Sequence, residues 1–285
     1  MEQVMSGTLF LVATPIGNLE DMSFRAIRTL KEADLIACED TRTSRTLLSH
    51  FEVRTPVTSY HEFNKFEKAE ELLDSLSAGK NIALITDAGT PGISDPGEEL
   101  VAMAFERGLE VIPIPGACAF VNAAIVSGQS VRRIAFEAFL PKDKKERQRI
   151  LSELEKETRT IVIYEAPHHL KKTLEELKAV LGGDRKLTLV RELTKKFEEK
   201  RKTTFDEALS FYENNDPRGE YVLVIEGKSK EELKAEKTER FSGLSIEEHV
   251  LHYINEEGMD KKSAMKAAAR DRGVSRRDIY AALNK

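Results

Sequence analysis

The stretch "ITDAGTPGISDPG" occupies residues 85–97 and directly follows the apolar run "NIAL". The apolar run predicts a buried strand, and after it three glycines, two prolines and two aspartates fall within eleven residues. A tight turn needs about two residues of these types. The composition of this segment, named here the 85–97 loop, therefore predicts a role beyond reversing the chain direction.

The chain around this loop alternates between apolar runs and helical patterns. Strands are predicted at 8–13, 34–38, 56–60, 81–86 and 110–114. Helices are predicted near 23–32, 41–50, 64–78 and 96–107. Alternation of this kind favours a mostly parallel sheet with helices on its faces. In such sheets ligands bind beyond the carboxyl ends of the strands, which is where the 85–97 loop begins.

A second α/β region is predicted after the segment "IPIPG" at residues 112–116, because the strands become longer and the connections more polar. Its predicted strands are 134–140, 160–165, 187–192 and 220–227, and its charged helices are 143–157, 167–181 and 205–214. We therefore predict four parts along the chain. They are an α/β lobe over 1–116, a second α/β lobe over 117–227, an exposed linker over 228–243 and a helical unit over 244–285.

The final segment combines a helix-turn-helix pattern with positive charge. Gly273 is expected to end one helix and Ser275 to cap the next. Residues 261–285 carry a net charge of +6, so the rest of the chain carries −11. A basic segment on an acidic protein is typical of a nucleic-acid contact. The alternative is a solvated helical tail.

Composition predicts a soluble protein. The chain has 285 residues, of which 40% are hydrophobic, and the early run "LFLVA" is too short for a signal peptide or a membrane span. Cys38 and Cys118 lie beside apolar residues without CxxC spacing, which favours small buried thiols in a reduced compartment. We expect a cytoplasmic protein without a membrane association and without a bound metal.

Two common phosphate-binding motifs are missing from the sequence. It contains no GxxxxGK[ST] motif and no GxGxxG motif after the first predicted strand. Loops rich in glycine and proline also follow other predicted strands, among them "ATPIGNLED" and "IPIPGACAF". These features favour a cleft for a ligand that lacks a triphosphate.

Several longer blocks resemble one known family. They are "ATPIGNLEDMSFRAIRTLKEADLIACEDTRTSRTLL", "SDPG", "PGACA", "YEAPHH", "RELTKKFEE" and "GEYVLVIEG". Over residues 7–227 they resemble the bacterial 16S rRNA (cytidine-2′-O)-methyltransferases of the small subunit, which belong to the tetrapyrrole methylase superfamily. The segment after residue 243 resembles the helix-turn-helix appendage of these enzymes.

The resemblance implies a two-lobed tetrapyrrole methylase fold (class III methyltransferase) with a small C-terminal helix-turn-helix unit. It also implies a homodimer that uses S-adenosylmethionine to methylate the 2′-hydroxyl of a cytidine in the decoding region of 16S rRNA, within the small ribosomal subunit. Two other functions stay open. One is methylation of a precorrin-type tetrapyrrole, and the other is nucleic-acid binding by a non-catalytic protein.

The resemblance further implies that S-adenosylmethionine lies folded between the two lobes. The 85–97 loop would form the wall on the first lobe, mostly through main-chain groups. By position, the expected cofactor contacts are Pro15, Gly17, Asp87, Thr90, Ile93, Ser94, Asp95, Ala117, Cys118, Ala119, Tyr164, Glu165, Ala166, Gly219 and Glu220.

Methylation of a ribose hydroxyl requires alignment of its oxygen and removal of its proton. Polar residues near the predicted strand ends are Glu39, Asp40, Asp87, Asp95, Glu165 and His168. We take Asp40 and Arg42 of the segment "CEDTR" and Glu165 of the segment "YEAPHH" as the catalytic candidates. A helix N-cap is the alternative role for Asp40.

Basic residues near the predicted cleft and in the final segment are candidates for contacts with RNA phosphates. The alternative for them is a solvated surface. The candidates are Arg42, Arg45, Lys195, Lys196, Arg276 and Arg277.

Overall fold

A computed structural model describes residues 6–241 and 243–283. Its contacts divide the chain into two compact units. The first, named here the α/β body, comprises the described residues up to Leu154 and Thr160–Glu226. The second, named the helical unit, comprises Glu155–Arg159 and the described residues from Gly227 onward.

The first sheet of the α/β body is entirely parallel, with the strand order β3-β2-β4-β1-β5. Its strands are β1 (Thr8–Val12), β2 (Leu35–Cys38), β3 (Val57–Ser59), β4 (Ile82–Ile85) and β5 (Glu110–Ile114). Four helices connect them: α1 (Phe24–Glu32), α2 (Thr41–His50), α3 (Lys65–Ser77) and α4 (Gly97–Glu106). The prediction of a mostly parallel sheet is confirmed for this half.

The two faces of this sheet bury separate apolar clusters. Helices α1 and α2 pack on one face and α3 and α4 on the other. All four residues of β4 are buried, because this central strand has helices on both faces. Because β2 and β4 pair in parallel, with Cys38 opposite Ile85, their carboxyl ends lie side by side at one edge of this sheet.

The second sheet is mixed, with the strand order β6-β7-β10-β8-β9. Its strands are β6 (Ile134–Phe139), β7 (Thr160–Glu165), β8 (Lys186–Arg191), β9 (Glu199–Thr204) and β10 (Tyr221–Ile225). Strands β6 and β7 are parallel, and the other pairs are antiparallel. Its helices are α5 (Ala119–Val126), α6 (Lys144–Leu154), α7 (Leu170–Leu181) and α8 (Phe205–Glu213).

Helices α6, α7 and α8 cover one face of the second sheet, and α5 packs on the other. Strand β9 was not predicted, because its sequence "EKRKTT" contains no apolar residue. It pairs with β8 at the edge of the sheet. Charged residues are typical of edge strands, where they oppose pairing with a further chain.

The helical unit contains α9 (Lys230–Arg240), α10 (Ile246–Asn255), α11 (Lys261–Arg272) and α12 (Arg276–Leu283). Residues 228–243 were predicted as an exposed linker, but most of them form α9. The reason is a capping box before this helix: Ser229 Oγ accepts from the Glu232 amide at 3.0 Å and the Glu232 carboxylate accepts from the Ser229 amide at 2.7 Å.

The turn between α11 and α12 follows the predicted pattern. Gly273 ends α11 in the left-handed conformation. Ser275 Oγ then accepts from the Asp278 amide at 3.2 Å, and the Asp278 carboxylate accepts from the Ser275 amide at 3.0 Å. Across the described residues, every helix is too short or too polar to cross a membrane.

Candidate active site

A cavity of 310 Å³ opens in the α/β body, and both sheets contribute to its wall. The first lobe supplies the 85–97 loop together with residues that follow β1 and β2. The second lobe supplies the start of α5 and residues at the ends of β6, β7, β8 and β10. The lining residues are Ile16, Glu39, Thr86, Asp87, Ala88, Gly89, Thr90, Ile93, Ser94, Asp95, Cys118, Ala119, Phe139, Tyr164, Glu165, Ala166, Val190, Leu193, Lys195, Glu220, Tyr221 and Val222.

The shape of the 85–97 loop depends on the carboxylate of Asp95. Its oxygens accept hydrogen bonds from the amides of Gly92, Ile93 and Gly97 at 2.8–3.2 Å. Ser94 and Gly92 have positive φ angles of 67° and 82°. One side chain thus stabilises a backbone path that a free chain would rarely adopt. Asp95 acts on the cavity by shaping this loop.

The same loop is joined to the segment that follows β1. The amide of Thr14 donates to the Gly89 carbonyl at 2.9 Å, and the amide of Gly89 donates back to the Thr14 carbonyl at 3.1 Å. The Thr14 hydroxyl also donates to the Thr86 carbonyl at 3.1 Å. Farther along, the Thr90 hydroxyl donates to the Ala117 carbonyl at 2.9 Å. The loop is therefore tied to the sheet on one side and to the start of α5 on the other.

Side chains form most of the wall on the second lobe. The Tyr164 hydroxyl accepts from the amide of Phe120 at 3.0 Å and so caps the first turn of α5. Burial raises the pKa of Tyr164 to about 12, while this hydrogen bond acts in the opposite direction. A bulge in β6 places Ala138 at a φ of 50°, and the next residue, Phe139, lies against Tyr164 with ring centroids 5.5 Å apart.

The charge of the lining is mostly negative. Among the described residues that line the cavity, one is a lysine and five are carboxylates: Glu39, Asp87, Asp95, Glu165 and Glu220. The ammonium group of Lys195 lies 3.0 Å from a Glu192 oxygen and 2.6 Å from a Glu220 oxygen. Because this lysine is already paired, the cavity favours a cationic ligand over a phosphate.

Eleven of the fifteen predicted cofactor contacts line the cavity. The other four are Pro15, Gly17, Ala117 and Gly219. Gly17 contacts the Lys195 side chain, Gly219 contacts the Glu192 side chain, and Ala117 accepts from Thr90. Lys195 and Thr90 belong to the lining, so Gly17 and Ala117 lie next to it. Pro15 lies between Thr14, which bonds to Gly89, and the lining residue Ile16.

The catalytic candidates Asp40 and Arg42 lie outside the cavity lining. Asp40 is the N-cap of α2, and its Oδ1 accepts from the Arg42 amide at 2.8 Å. The Arg42 guanidinium donates to the same carboxylate at 3.2 and 3.0 Å. These hydrogen bonds lower the pKa of Asp40 to about 2. The contacts of Asp40 are those of the capping alternative.

The third catalytic candidate, Glu165, is buried at the end of β7. One of its oxygens accepts from the amide of Ala166 at 2.8 Å, and the other accepts from the Thr173 hydroxyl. Thr173 in turn accepts from Arg147 at 2.8 Å. Glu165 therefore links the cavity wall to α7 and α6.

The RNA-contact candidates fall in different surroundings. Lys195 belongs to the cavity wall, whereas Lys196 is exposed beside the Phe197 ring. Arg45 lies with Arg54 along a separate groove on the first lobe. In the helical unit one groove brings together four cations and a tyrosine, and its lining is Lys261, Lys262, Met265, Arg276, Arg277 and Tyr280.

The family described as Tetrapyrrole (Corrin/Porphyrin) Methylases matches residues 8–209. The chain belongs to the tetrapyrrole methylase family. It is a methyltransferase, and its fold is the two-lobed α/β fold of this family.

Relatives of this methylase extend over almost all of its length. A protein from Halalkalibacterium halodurans is 49% identical over 96% of this chain and 93% of its own. One from Bacillus subtilis is 47% identical over 98% of this chain and 94% of its own. Both bear the name ribosomal RNA small subunit methyltransferase I. The similarity thus includes the helical unit.

Solved structures with the same fold are more distant in sequence. A diphthine synthase matches 77% of this methylase and 90% of its own chain, with a TM-score of 0.59 and 13% identity. Uroporphyrin-III C-methyltransferase from Thermus thermophilus, complexed with S-adenosyl homocysteine, matches 76% of this methylase and 97% of its own chain. Its TM-score is 0.55 and its identity is 17%. At these identities the similarity concerns the fold.

Several lining residues of this methylase were not among the predicted contacts. Glu39 had been noted only as a polar residue near a strand end. Phe139, Val190, Leu193 and Val222 are apolar residues of the second lobe, and in sequence they resemble ordinary core positions. The bulge in β6 brings Phe139 to the cavity, and the order of the strands in the second sheet brings the other three residues there. Neither the bulge nor the strand order was predicted from the sequence.

Proposed function

We propose that this methylase transfers a methyl group from S-adenosylmethionine to the 2′-hydroxyl of a cytidine in the decoding region of 16S rRNA. The observation that carries this proposal is the 49% identity over 96% of the chain to a ribosomal RNA small subunit methyltransferase I. Similarity over such a length includes both the cavity and the helical unit. The ribose position and the nucleotide rest on the motif resemblance described above.

The lining of the cavity fits S-adenosylmethionine, which supplies a methyl group on a positively charged sulfur and also carries an ammonium group. Five carboxylates and an already paired lysine complement these positive charges. A volume of 310 Å³ lies within the usual range of about 300–1,000 Å³ for small-molecule sites. The apolar side chains of Ile93, Leu193 and Val222 offer surface for the uncharged part of the molecule.

We assign the binding of the donor to main-chain groups of the 85–97 loop and of the segment Ala117–Ala119. The loop is held open for such contacts by its positive φ angles and by Asp95. Tyr164 and Ala166 would close the site from the second lobe. Asp40 would then act by positioning Arg42, whose guanidinium is exposed and can contact an RNA phosphate.

The groove on the helical unit supports RNA as the substrate. It combines Lys261, Lys262, Arg276 and Arg277 with an exposed Tyr280, and no carboxylate belongs to its described lining. Cations beside an aromatic side chain suit a phosphate chain with accessible bases. A small tetrapyrrole would not need this second surface.

Two further proposals follow from the same function. Activity on ribosomal RNA would locate the protein in the cytoplasm. A homodimer would cover exposed apolar residues of α5, where Val121 and Ile125 are 44% and 63% exposed. Sedimentation of the full chain would test the second proposal.

The function is tested by supplying small ribosomal subunits from a strain that lacks this methyltransferase, together with S-adenosylmethionine labelled in the methyl group. We expect one 2′-O-methylcytidine in the decoding region of 16S rRNA, mapped by mass spectrometry of nuclease fragments. Uroporphyrinogen and precorrin substrates are offered in parallel reactions. Label in a tetrapyrrole, or none in 16S rRNA, would contradict the proposal.

A further inference from the structure

We propose that Glu39 is the general base that accepts the proton of the ribose hydroxyl. This inference rests on the proposed function, since it names the proton acceptor of that reaction. Glu39 follows directly after β2, at the carboxyl edge of the first sheet, and it lines the cavity beside the 85–97 loop. Its neighbour Asp40 points into the helix cap instead.

The other carboxylates of the cavity are already engaged. Asp95 accepts hydrogen bonds from three amides of its own loop. Glu165 accepts hydrogen bonds from the Ala166 amide and the Thr173 hydroxyl. Glu220 is paired with Lys195, and Asp87 accepts from the amide of Asp40 at 3.2 Å. Each of these carboxylates already accepts a hydrogen bond or an ion pair from a described residue, which takes up part of its capacity to accept a substrate hydroxyl.

Glu39 differs from all of them. Within residues 6–241 and 243–283, neither of its oxygens has a hydrogen-bond donor or an ion-pair partner. Its side chain is exposed at the cavity, so a substrate hydroxyl can reach it. A carboxylate with both oxygens free and open to the ligand space meets the first requirement of a general base, which is geometric access.

Partial burial, together with neighbouring carboxylates, favours proton uptake by Glu39. Partial desolvation raises the pKa of its carboxyl, and so do the negative charges of Asp87, Asp95 and Asp40. The charge of His61, from the loop after β3, acts in the opposite direction. A general base is most effective when its pKa approaches the working pH, so this environment favours proton uptake compared with an ordinary surface glutamate.

In the proposed reaction the methyl group moves from the sulfur of the donor to the ribose oxygen. The hydroxyl oxygen forms a bond to the methyl carbon while the bond from carbon to sulfur breaks, and the electron pair of that bond stays on the sulfur, which becomes neutral. The proton of the hydroxyl passes to an oxygen of Glu39. The resulting carboxylic acid then releases this proton to water.

The test compares the Glu39→Gln variant with the wild type in the full chain. Glutamine keeps the size of the side chain but cannot take up the proton. We expect the single-turnover rate on small ribosomal subunits to fall by about 100-fold or more. The affinities for S-adenosylhomocysteine and for the subunits, measured by calorimetry and filter binding, should stay within about twofold of the wild type, as a proton acceptor contributes little to ground-state binding.

Two further variants complete the comparison. Glu106→Gln removes an exposed glutamate of α4 that lies outside the cavity lining, and it should leave rate and affinity unchanged. Asp40→Asn tests the neighbouring carboxylate: its single-turnover rate should fall strongly only if Asp40, and not Glu39, accepts the proton. A slow Asp40→Asn enzyme beside a fast Glu39→Gln enzyme would overturn the proposal.

A readout without substrate follows the Glu39 carboxyl itself. In protein labelled with ¹³C at glutamate carboxyls, the resonance that is missing from Glu39→Gln should titrate above the ordinary pKa of 4.5. The single-turnover rate of the wild type should rise with pH through the same value. A Glu39 carboxyl that titrates at or below 4.5 would overturn the role of Glu39 but leave the proposed function intact. A Glu39→Gln enzyme that is as fast as an active wild type would have the same meaning. A wild type that leaves 16S rRNA unmethylated would overturn the proposed function as well.

Discussion

The two lobes build the cavity in different ways. On the first lobe most of the wall is the 85–97 loop, and its path is held by hydrogen bonds that the Asp95 carboxylate accepts and that the Thr14 and Thr90 hydroxyls donate. On the second lobe the wall consists of side chains such as Tyr164 and Leu193, whose positions depend on packing over a mixed sheet. We infer that substitutions on the first lobe will act mainly through loop conformation and those on the second lobe through contact area.

The largest effect is expected for Asp95→Ala. The three amides that this carboxylate accepts would lose their partner, and the 85–97 loop would no longer be ordered before the donor binds. A loss of about 3 kcal/mol corresponds to about 100-fold weaker binding of S-adenosylhomocysteine in calorimetry. Asp95→Asn keeps part of the acceptor capacity and should bind better than the alanine variant. Equal affinities for Asp95→Ala and wild type would show that side chains of the second lobe dominate binding.

A smaller effect is expected from alanine at two glycines of the same loop. Gly89 and Gly92 both have positive φ angles, so alanine costs about 1–2 kcal/mol of backbone strain at either position. At Gly89 the added Cβ would also lie 3.3 Å from Ile16 Cγ2 and 3.6 Å from the Ala117 carbonyl, whereas at Gly92 it would meet open space.

Calorimetric titration with S-adenosylhomocysteine should therefore show a loss of affinity of about tenfold for Gly89→Ala and a smaller loss for Gly92→Ala. Gly92→Ala serves as the matched control for strain alone. If the two variants lose affinity equally, close packing of the Gly89 backbone has no part in binding.

Tyr164→Phe is expected to have a still smaller effect, because it removes one acceptor from the second lobe. The amide of Phe120 in the first turn of α5 would lose its partner. Loss of a helix cap costs about 1 kcal/mol, and thermal unfolding at pH 7 should detect it. Since burial raises the pKa of Tyr164 to about 12, the hydroxyl is protonated at that pH in the wild type. An unchanged melting temperature would mean that water replaces the hydroxyl as the cap.

The smallest effect concerns acid stability at the start of α2. The pKa of Asp40 is lowered from 3.8 to about 2, first of all by the Arg42 side chain. A carboxylate with a lowered pKa stabilises the fold above its ordinary pKa, and this stabilisation disappears as the pH falls through about 2. The difference in unfolding free energy between wild type and Asp40→Asn should be constant above about pH 5 and be mostly lost by about pH 2. A difference that is the same at pH 2 and pH 5 would contradict the ion pair.

The first lobe was predictable from its sequence because its strands are apolar runs and its helices have clear ends. Every predicted strand and helix of that lobe is present, and the N-cap that was the alternative role for Asp40 is formed. The second lobe was harder to predict. Strand β9 contains only polar residues, and the reversal of direction between β7 and β10 has no local signal.

The site was predictable to the extent that it depends on glycine, proline and small residues. The 85–97 loop and the start of α5 line the cavity as expected. The position of Glu39 in the cavity lining was not predicted, because the sequence presents it as an equal neighbour of Asp40. The contrast between these two carboxylates arises from the helix that begins at Thr41: its cap takes the Asp40 carboxylate and leaves Glu39 free.

The pair of hydrogen bonds between Thr14 and Gly89 has a consequence for the dynamics of the loop. Ligand-binding loops usually open by local fluctuations that leave the rest of the protein intact. Here the loop is attached to the residues after β1, in the middle of a parallel sheet, by a reciprocal backbone pair. Opening of the loop at this point requires breaking both hydrogen bonds between Thr14 and Gly89, directly beyond the end of β1. The amides of Thr14 and Gly89 should therefore exchange their hydrogens as slowly as those of the neighbouring strands.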